Sequence, residues 1–174
     1  MAALYSPPSL PGFEDYMTAQ RGRQGTEYVP GDRRGLARLI GMLREGEVTG
    51  ILPDQSPTAA GSAFAPFFGV EVRTMTLVSK LLQKSGATPL MTWCQRLPDG
   101  SGFRLVVRRC VEGIADPDPV IATTALNGSV EACVREAMAQ YQWEYKRFRH
   151  RPPGQPNPYQ RDQHPLSHAH AWMR

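Results

Sequence analysis

Asp32-Arg33-Arg34-Gly35, then Gly50-Ile51-Leu52-Pro53-Asp54-Gln55-Ser56-Pro57, then Phe64-Ala65-Pro66-Phe67-Phe68-Gly69 follow one another in a single stretch of the chain. The first opens an amphipathic helix: Leu36, Leu39, Ile40 and Leu43 fall at i, i+3, i+4 and i+7, with Asp32 placed as N-cap and Gly46 at C′. Each of those side chains, fully buried, contributes roughly 1.5 to 3 kcal/mol, enough to fix the helix against a sheet. The second block reads as an apolar strand, Val48 to Leu52, that runs into a polar loop. A strand ending in a polar loop, next to a helix that opens on cations, is how an α/β sheet builds an anion-binding site at its carboxyl edge.

Around this stretch the pattern is α/β. Residues 1 to 12 are rich in proline and small residues and read as an extended lead-in, and Tyr16 to Gly25 reads as a short helix or turn. A helix is expected from Thr74 through Leu77, Val78, Leu81 and Leu82 to Gly86, followed by a strand at Thr88 to Cys94. Strand, helix, strand at this spacing predicts a parallel βαβ crossover from Val48–Leu52 to Thr88–Cys94. Pro98-Asp99-Gly100-Ser101-Gly102 is a turn, so Phe103 to Arg109 returns as a hairpin partner. Beyond the prolines of Asp116 to Pro119, the apolar residues Leu126, Val130, Val134 and Met138 mark one helix face, with Asn127-Gly128 in its first turn. Tyr141 to Phe148 alternates as a last edge strand. The expected fold is α/β, a mixed and mostly parallel sheet flanked by helices, in one domain over residues 1–152, with 153–174 a disordered polar tail.

Composition narrows the function. The 174 residues carry a formal net charge of +4, which favours an acidic partner: a membrane surface, a phosphorylated sugar or nucleic acid. Nucleic acid is disfavoured, because no aromatic platform, helix-turn-helix or basic-region pattern accompanies the charge. The three cysteines, Cys94, Cys110 and Cys133, lie in apolar segments without zinc-type spacing, so neither a metal site nor a disulfide framework is expected. No run approaches the roughly 18 apolar residues of a membrane span. All four histidines, His150, His164, His168 and His170, fall at or beyond residue 150, so residues 1–149 hold no imidazole to act as a neutral-pH base. The histidines of the tail form only a loose tract without an ordered scaffold.

The three blocks quoted above, together with the Pro98-Asp99-Gly100 turn and Gln140-Tyr141-Gln142-Trp143-Glu144-Tyr145-Lys146-Arg147-Phe148, resemble the lipid A biosynthesis acyltransferases in order and spacing, from about Tyr5 to Pro152. These belong to the lysophospholipid acyltransferase superfamily. The resemblance implies a glycerolipid acyltransferase-like fold, incomplete here at its N-terminus. It also implies transfer of a fatty acyl chain from acyl carrier protein to a hydroxyl of an acylated, phosphorylated glucosamine disaccharide. The setting it implies is the cytoplasmic face of the inner membrane, against an anionic surface, without metal or organic cofactor. The family's His-x-x-x-x-Asp or Glu pair has no match in this sequence. The resemblance places that pair upstream of Met1 with a membrane anchor, so the chain is expected to be a C-terminal portion that is inactive alone. The alternative is a non-catalytic module binding anionic lipid or acyl carrier protein.

The resemblance also assigns candidate residues, each with a plainer reading. Arg33 and Arg34 sit in a helix first turn, where the macrodipole disfavours a cation by a few tenths to ~1 kcal/mol. They either pair with a phosphate of the acceptor or the donor's phosphopantetheine, or are solvated or bridged to Asp32 or Glu27. Arg21 and Arg23 fall near the family's acceptor site or form a solvated basic turn. Asp54 and Gln55 match the superfamily's Pro-Glu-Gly-Thr-Arg block, which contacts the acceptor head group; the arginine of that block is absent. Phe64, Phe67 and Phe68 line an acyl groove, rest at the membrane interface, or pack in the core. Pro89-Leu90 matches a block that scaffolds as a buried strand. Trp143, Tyr145, Lys146 and Arg147 form an aromatic and basic strip toward anionic lipid, or a half-buried edge with a solvated face.

Overall fold

A computed structural model of the protein describes residues 1–5, 12–22 and 25–160. They fall in two compact units, Met1–Leu52 with Lys80–Thr88, and Pro53–Ser79 with Pro89 onward. The described residues form four α-helices and three two-stranded sheets, a mixed α/β architecture.

The first unit begins with β1 (Ala2–Tyr5), α1 (Phe13–Gly22) and β2 (Glu27–Pro30), and β1 and β2 pair in parallel. A parallel βαβ crossover is therefore present, but at the start of the chain. α2 (Arg33–Arg44) then packs on both strands, with Ala2, Val29, Leu39 and Met42 buried. Its ends follow the sequence signals. Asp32 accepts from the Gly35 amide at 2.8 Å. At the other end the Gly46 and Glu47 amides donate to Leu43 and Met42 carbonyls, which closes the last turn as a Schellman motif. Gly35 has a packing reason of its own: a Cβ there would stand 1.9 Å from the Pro30 carbonyl oxygen, so only glycine lets the helix start against β2.

The strand expected at Val48–Leu52 reduces to a single parallel bridge, Thr49 to Ala2. Gly50 interrupts the apolar run with a residue depleted in strands. Among the described residues no crossover joins it to the later strand, and the expectation of a mostly parallel sheet is corrected: two of the three sheets are antiparallel.

The second unit holds β3 (Ser62–Phe67) and β4 (Val70–Met75), an antiparallel hairpin turned by Phe68-Gly69, both at positive φ, 49° and 75°. This is the twist-matched two-residue turn of hairpins, here without its usual Asn or Asp. α3 (Leu77–Ser85) starts three residues later than expected. β5 (Leu90–Arg96) and β6 (Phe103–Arg109) form the expected antiparallel hairpin across the Pro98 turn. Leu90 is 54% exposed, so the buried character expected of Pro89-Leu90 is corrected: only one face of a two-stranded hairpin is covered.

α4 (Pro119–Glu136) begins well before Asn127, because Asp118 caps it by accepting from the Val120 amide at 2.7 Å and Pro119 supplies a first-turn proline. It packs on β3, and Phe67, Val72, Val130 and Val134 make the buried core, with Val70, Met91, Tyr141 and Phe148 against it.

Tyr141 to Phe148 is not an edge strand. It runs as irregular turns, with 3-10 turns at Met138–Gln140 and Arg147–Arg149. The inward turn of Arg147 ties it to β4, and just beyond it the Arg73 amide donates to the His150 carbonyl at 3.4 Å. The tail expected from residue 153 is described to Gln160; within it Gln155 donates to the Glu71 carboxylate at 3.0 Å. Residues 161–174, with His164, His168 and His170, lie outside the described residues.

Candidate functional site

Two of the sequence blocks, far apart along the chain, meet in the second unit. The polar loop after Leu52 carries Asp54, half-buried, and Gln55, exposed. The Ser56 amide donates to the Tyr145 hydroxyl at 2.8 Å. The Tyr141 hydroxyl lies within electrostatic reach of the Asp54 carboxylate. Burial raises the Tyr141 phenol well above the ordinary tyrosine range, and the negative charge of Asp54 raises it further, so this hydroxyl stays a donor at neutral pH.

Arg147 lies beneath this loop and is 2% exposed. Its guanidinium donates to the Arg73 carbonyl at 2.6 Å, to the Thr74 hydroxyl at 3.1 Å and to Asn127 Oδ1 at 3.3 Å, and it lies over the Phe67 ring at 5.7 Å. Its Nε has no partner, and it makes no salt bridge among the described residues. Burial lowers its pKa, while the neighbouring Tyr141, Asp54 and Tyr145 oppose that shift. Asp54 is therefore a negative charge that acts on this buried cation through space, without an ion pair. Asn127, buried in the middle of α4, completes the network by donating to the Pro66 carbonyl and to Thr74 Oγ1, both at 2.9 Å. A polar side chain inside a helix was the one sequence sign of this contact.

Phe67 is fully buried in the core, whereas Phe64 and Phe68 are half-buried. Phe64 lies under Arg73 at 5.8 Å, and Phe68 under Arg135 at 4.9 Å and beside Trp143 at 5.9 Å. Trp143 is 44% exposed, and Lys146 is exposed. In the first unit Arg33 and Arg34 are exposed in the first turn of α2. Glu27 pairs with Arg38 instead, through two bonds of 3.1 Å, and Asp32 serves as the cap. Arg23 lies outside the described residues, and of Arg21 only its backbone in α1 is described. Among the described residues no group of three or more His, Cys, Asp or Glu is arranged to hold a metal, and no helix is long and apolar enough to cross a membrane.

The profile of a family described as bacterial lipid A biosynthesis acyltransferase matches residues 1–150, which include both halves of this cluster. The chain belongs to that family. Among the relatives of this acyltransferase-family chain, the lipid A biosynthesis palmitoleoyltransferase of Escherichia coli (strain K12) is 35% identical over 160 residues, covering 91% of this chain and 51% of the relative. The lipid A biosynthesis lauroyltransferase of the same strain is 33% identical, covering 90% and 51%. Its lipid A biosynthesis myristoyltransferase is 29% identical, covering 95% and 51%. The chain thus spans about half the length of the curated relatives it matches.

Proposed function

We propose that this chain provides the acceptor-side portion of a lipid A acyltransferase. The observation that carries the reading is the junction of the Asp54–Ser56 loop with the Tyr141–Arg147 block, two family blocks joined by the Ser56–Tyr145 hydrogen bond and by the electrostatic influence of Asp54 on Tyr141 and Arg147. The names of the relatives, palmitoleoyl-, lauroyl- and myristoyltransferase, support a fatty acyl chain as the group moved. Acyl carrier protein is the donor in this reading, and the acceptor is a hydroxyl of an acylated, phosphorylated glucosamine disaccharide. The place is the cytoplasmic face of the inner membrane, on an anionic surface.

In the reaction the hydroxyl oxygen bonds to the thioester carbonyl carbon, the C–S bond breaks, and the hydroxyl proton ends on the departing thiol. Residues 1–149 contain no histidine, so they do not supply an imidazole base. The share of this chain is to hold the acceptor: in the second unit Asp54 and Gln55 take the head group and Phe64 and Phe68 its chains, and in this reading Arg33 and Arg34, with Arg21 and Arg23, are the candidates of the first unit for binding a phosphate. Residues 1–152 form this acceptor-holding portion, and the polar segment from 153 stands outside it. The same absence of histidine favours a second reading, a module that binds anionic lipid or acyl carrier protein without turnover.

Purified 174-residue chain, mixed with acyl carrier protein loaded with acyl chain and with the disaccharide precursor, is expected to give no acylated product above the no-protein control, as read by mass spectrometry. Substantial turnover would overturn the assignment of a purely acceptor-binding share.

A further inference from the structure

One face of the β5–β6 hairpin is open. The register places Leu90 opposite Arg109 and Arg96 opposite Phe103, with Leu105 and Val107 between them on the same side, since alternate residues of a strand share a face. Phe103 is 69% exposed, Leu105 65%, Leu90 54% and Val107 47%. The opposite face is the partly covered one: Val106 is buried there, Met91 and Trp93 are half-buried, Arg108 pairs with Glu136 at 2.8 Å, and Arg104 is exposed. The open face is thus an apolar row with a cation at each end.

The charge on this hairpin is one-sided. Neither strand contains an aspartate or glutamate, and Arg96 and Arg109 are exposed and make no ion pair among the described residues. The end that carries Arg96 is also held in place. The Gln140 side chain accepts from the Arg96 amide at 2.8 Å and donates to its carbonyl at 3.1 Å. A contiguous exposed apolar row marks an interaction surface. A second copy of this chain, applied face to face, would set arginine against arginine, whereas an anionic bilayer offers acyl chains to the row and phosphates to both ends.

We propose that this face of the β5–β6 hairpin lies on an anionic lipid bilayer, with Leu90, Phe103, Leu105 and Val107 at the acyl boundary and Arg96 and Arg109 on lipid phosphates. The proposal rests on the membrane-surface part of the function above and names the surface that makes the contact.

The test is co-sedimentation of the full 174-residue chain with vesicles of phosphatidylcholine alone or with phosphatidylglycerol added. The wild-type chain is expected to bind the mixed vesicles and not the neutral ones. Arg96→Gln with Arg109→Gln, both on the surface, lowers partitioning about fivefold per arginine, roughly 25-fold together. Leu105→Asp abolishes binding at equal helical signal by circular dichroism. If the wild-type chain binds and the arginine pair is without effect, the hairpin assignment is wrong while the membrane reading stands. If the wild-type chain binds no vesicle, both are wrong. A dimer in solution that dissociates in Leu105→Asp identifies a second copy as the occupant and overturns the proposal.

Discussion

Arg147→Ala lowers the unfolding free energy by about 3 to 5 kcal/mol, the range for removing one member of a buried charged network. Arg147 is 2% exposed, and its guanidinium donates to the Arg73 carbonyl and Thr74 of β4 and to Asn127 of α4, beside the direct bond from Asn127 to Thr74. Alanine leaves a cavity against Phe67 and takes the side-chain donor from the Arg73 carbonyl, at about 1 to 3 kcal/mol where that oxygen stays unsatisfied, while Thr74 and Asn127 keep their bond to each other. It also leaves Asp54 without the cation it faces. Arg147→Met separates the two effects: it fills much of the volume but donates nothing, so it remains destabilised, by less than alanine. Urea denaturation of the three proteins measures this. Equal stability of Arg147→Met and the wild-type chain would show that packing alone accounts for the position.

Phe67→Ala is expected to cost about 3 to 5 kcal/mol, as for deletion of a fully buried aromatic ring. Phe67 is 0% exposed and touches the rings of Phe68, Tyr141 and Phe148, with centroids 4.8, 6.2 and 5.9 Å away. Its loss loosens the hairpin and also the segment that carries Tyr141. Phe64→Ala, at a half-buried position three residues earlier, costs a fraction of that. Thermal unfolding of the two variants side by side distinguishes a core ring from a ring at the surface; equal losses would contradict the packing described.

What could be read in the sequence was what is encoded locally. The cap at Asp32, the C′ glycine at Gly46 and the turn at Pro98 act over a few residues, and α2 and the β5–β6 hairpin follow from them. The β3–β4 hairpin was hidden because Pro66 sits in β3 and the turn is Phe68-Gly69, although Val70, Val72 and Thr74 alternate as a strand should. Tyr141–Phe148 shows the reverse failure. Its alternation reads as a strand, but Arg147 turns inward to donate to Arg73 and Thr74 of β4, and the segment follows that side chain in turns instead of pairing along the strand. The Asp54 loop was legible as a candidate site from its place after an apolar run. Its partners were not: Tyr145 is 89 residues from Ser56, and Arg147 is 73 from Thr74, separations over which no periodicity speaks.

The most direct measurement is the titration of isotope-labelled 174-residue chain with the acylated, phosphorylated glucosamine disaccharide in neutral detergent micelles, followed by amide NMR. Saturable shifts are expected at the Asp54, Gln55 and Ser56 amides and at Tyr145, weakened in Gln55→Ala, whose side chain is exposed and leaves the buried network intact. Shifts confined to other residues, or none beyond those caused by micelles alone, would contradict the assignment of this loop as the acceptor-holding site.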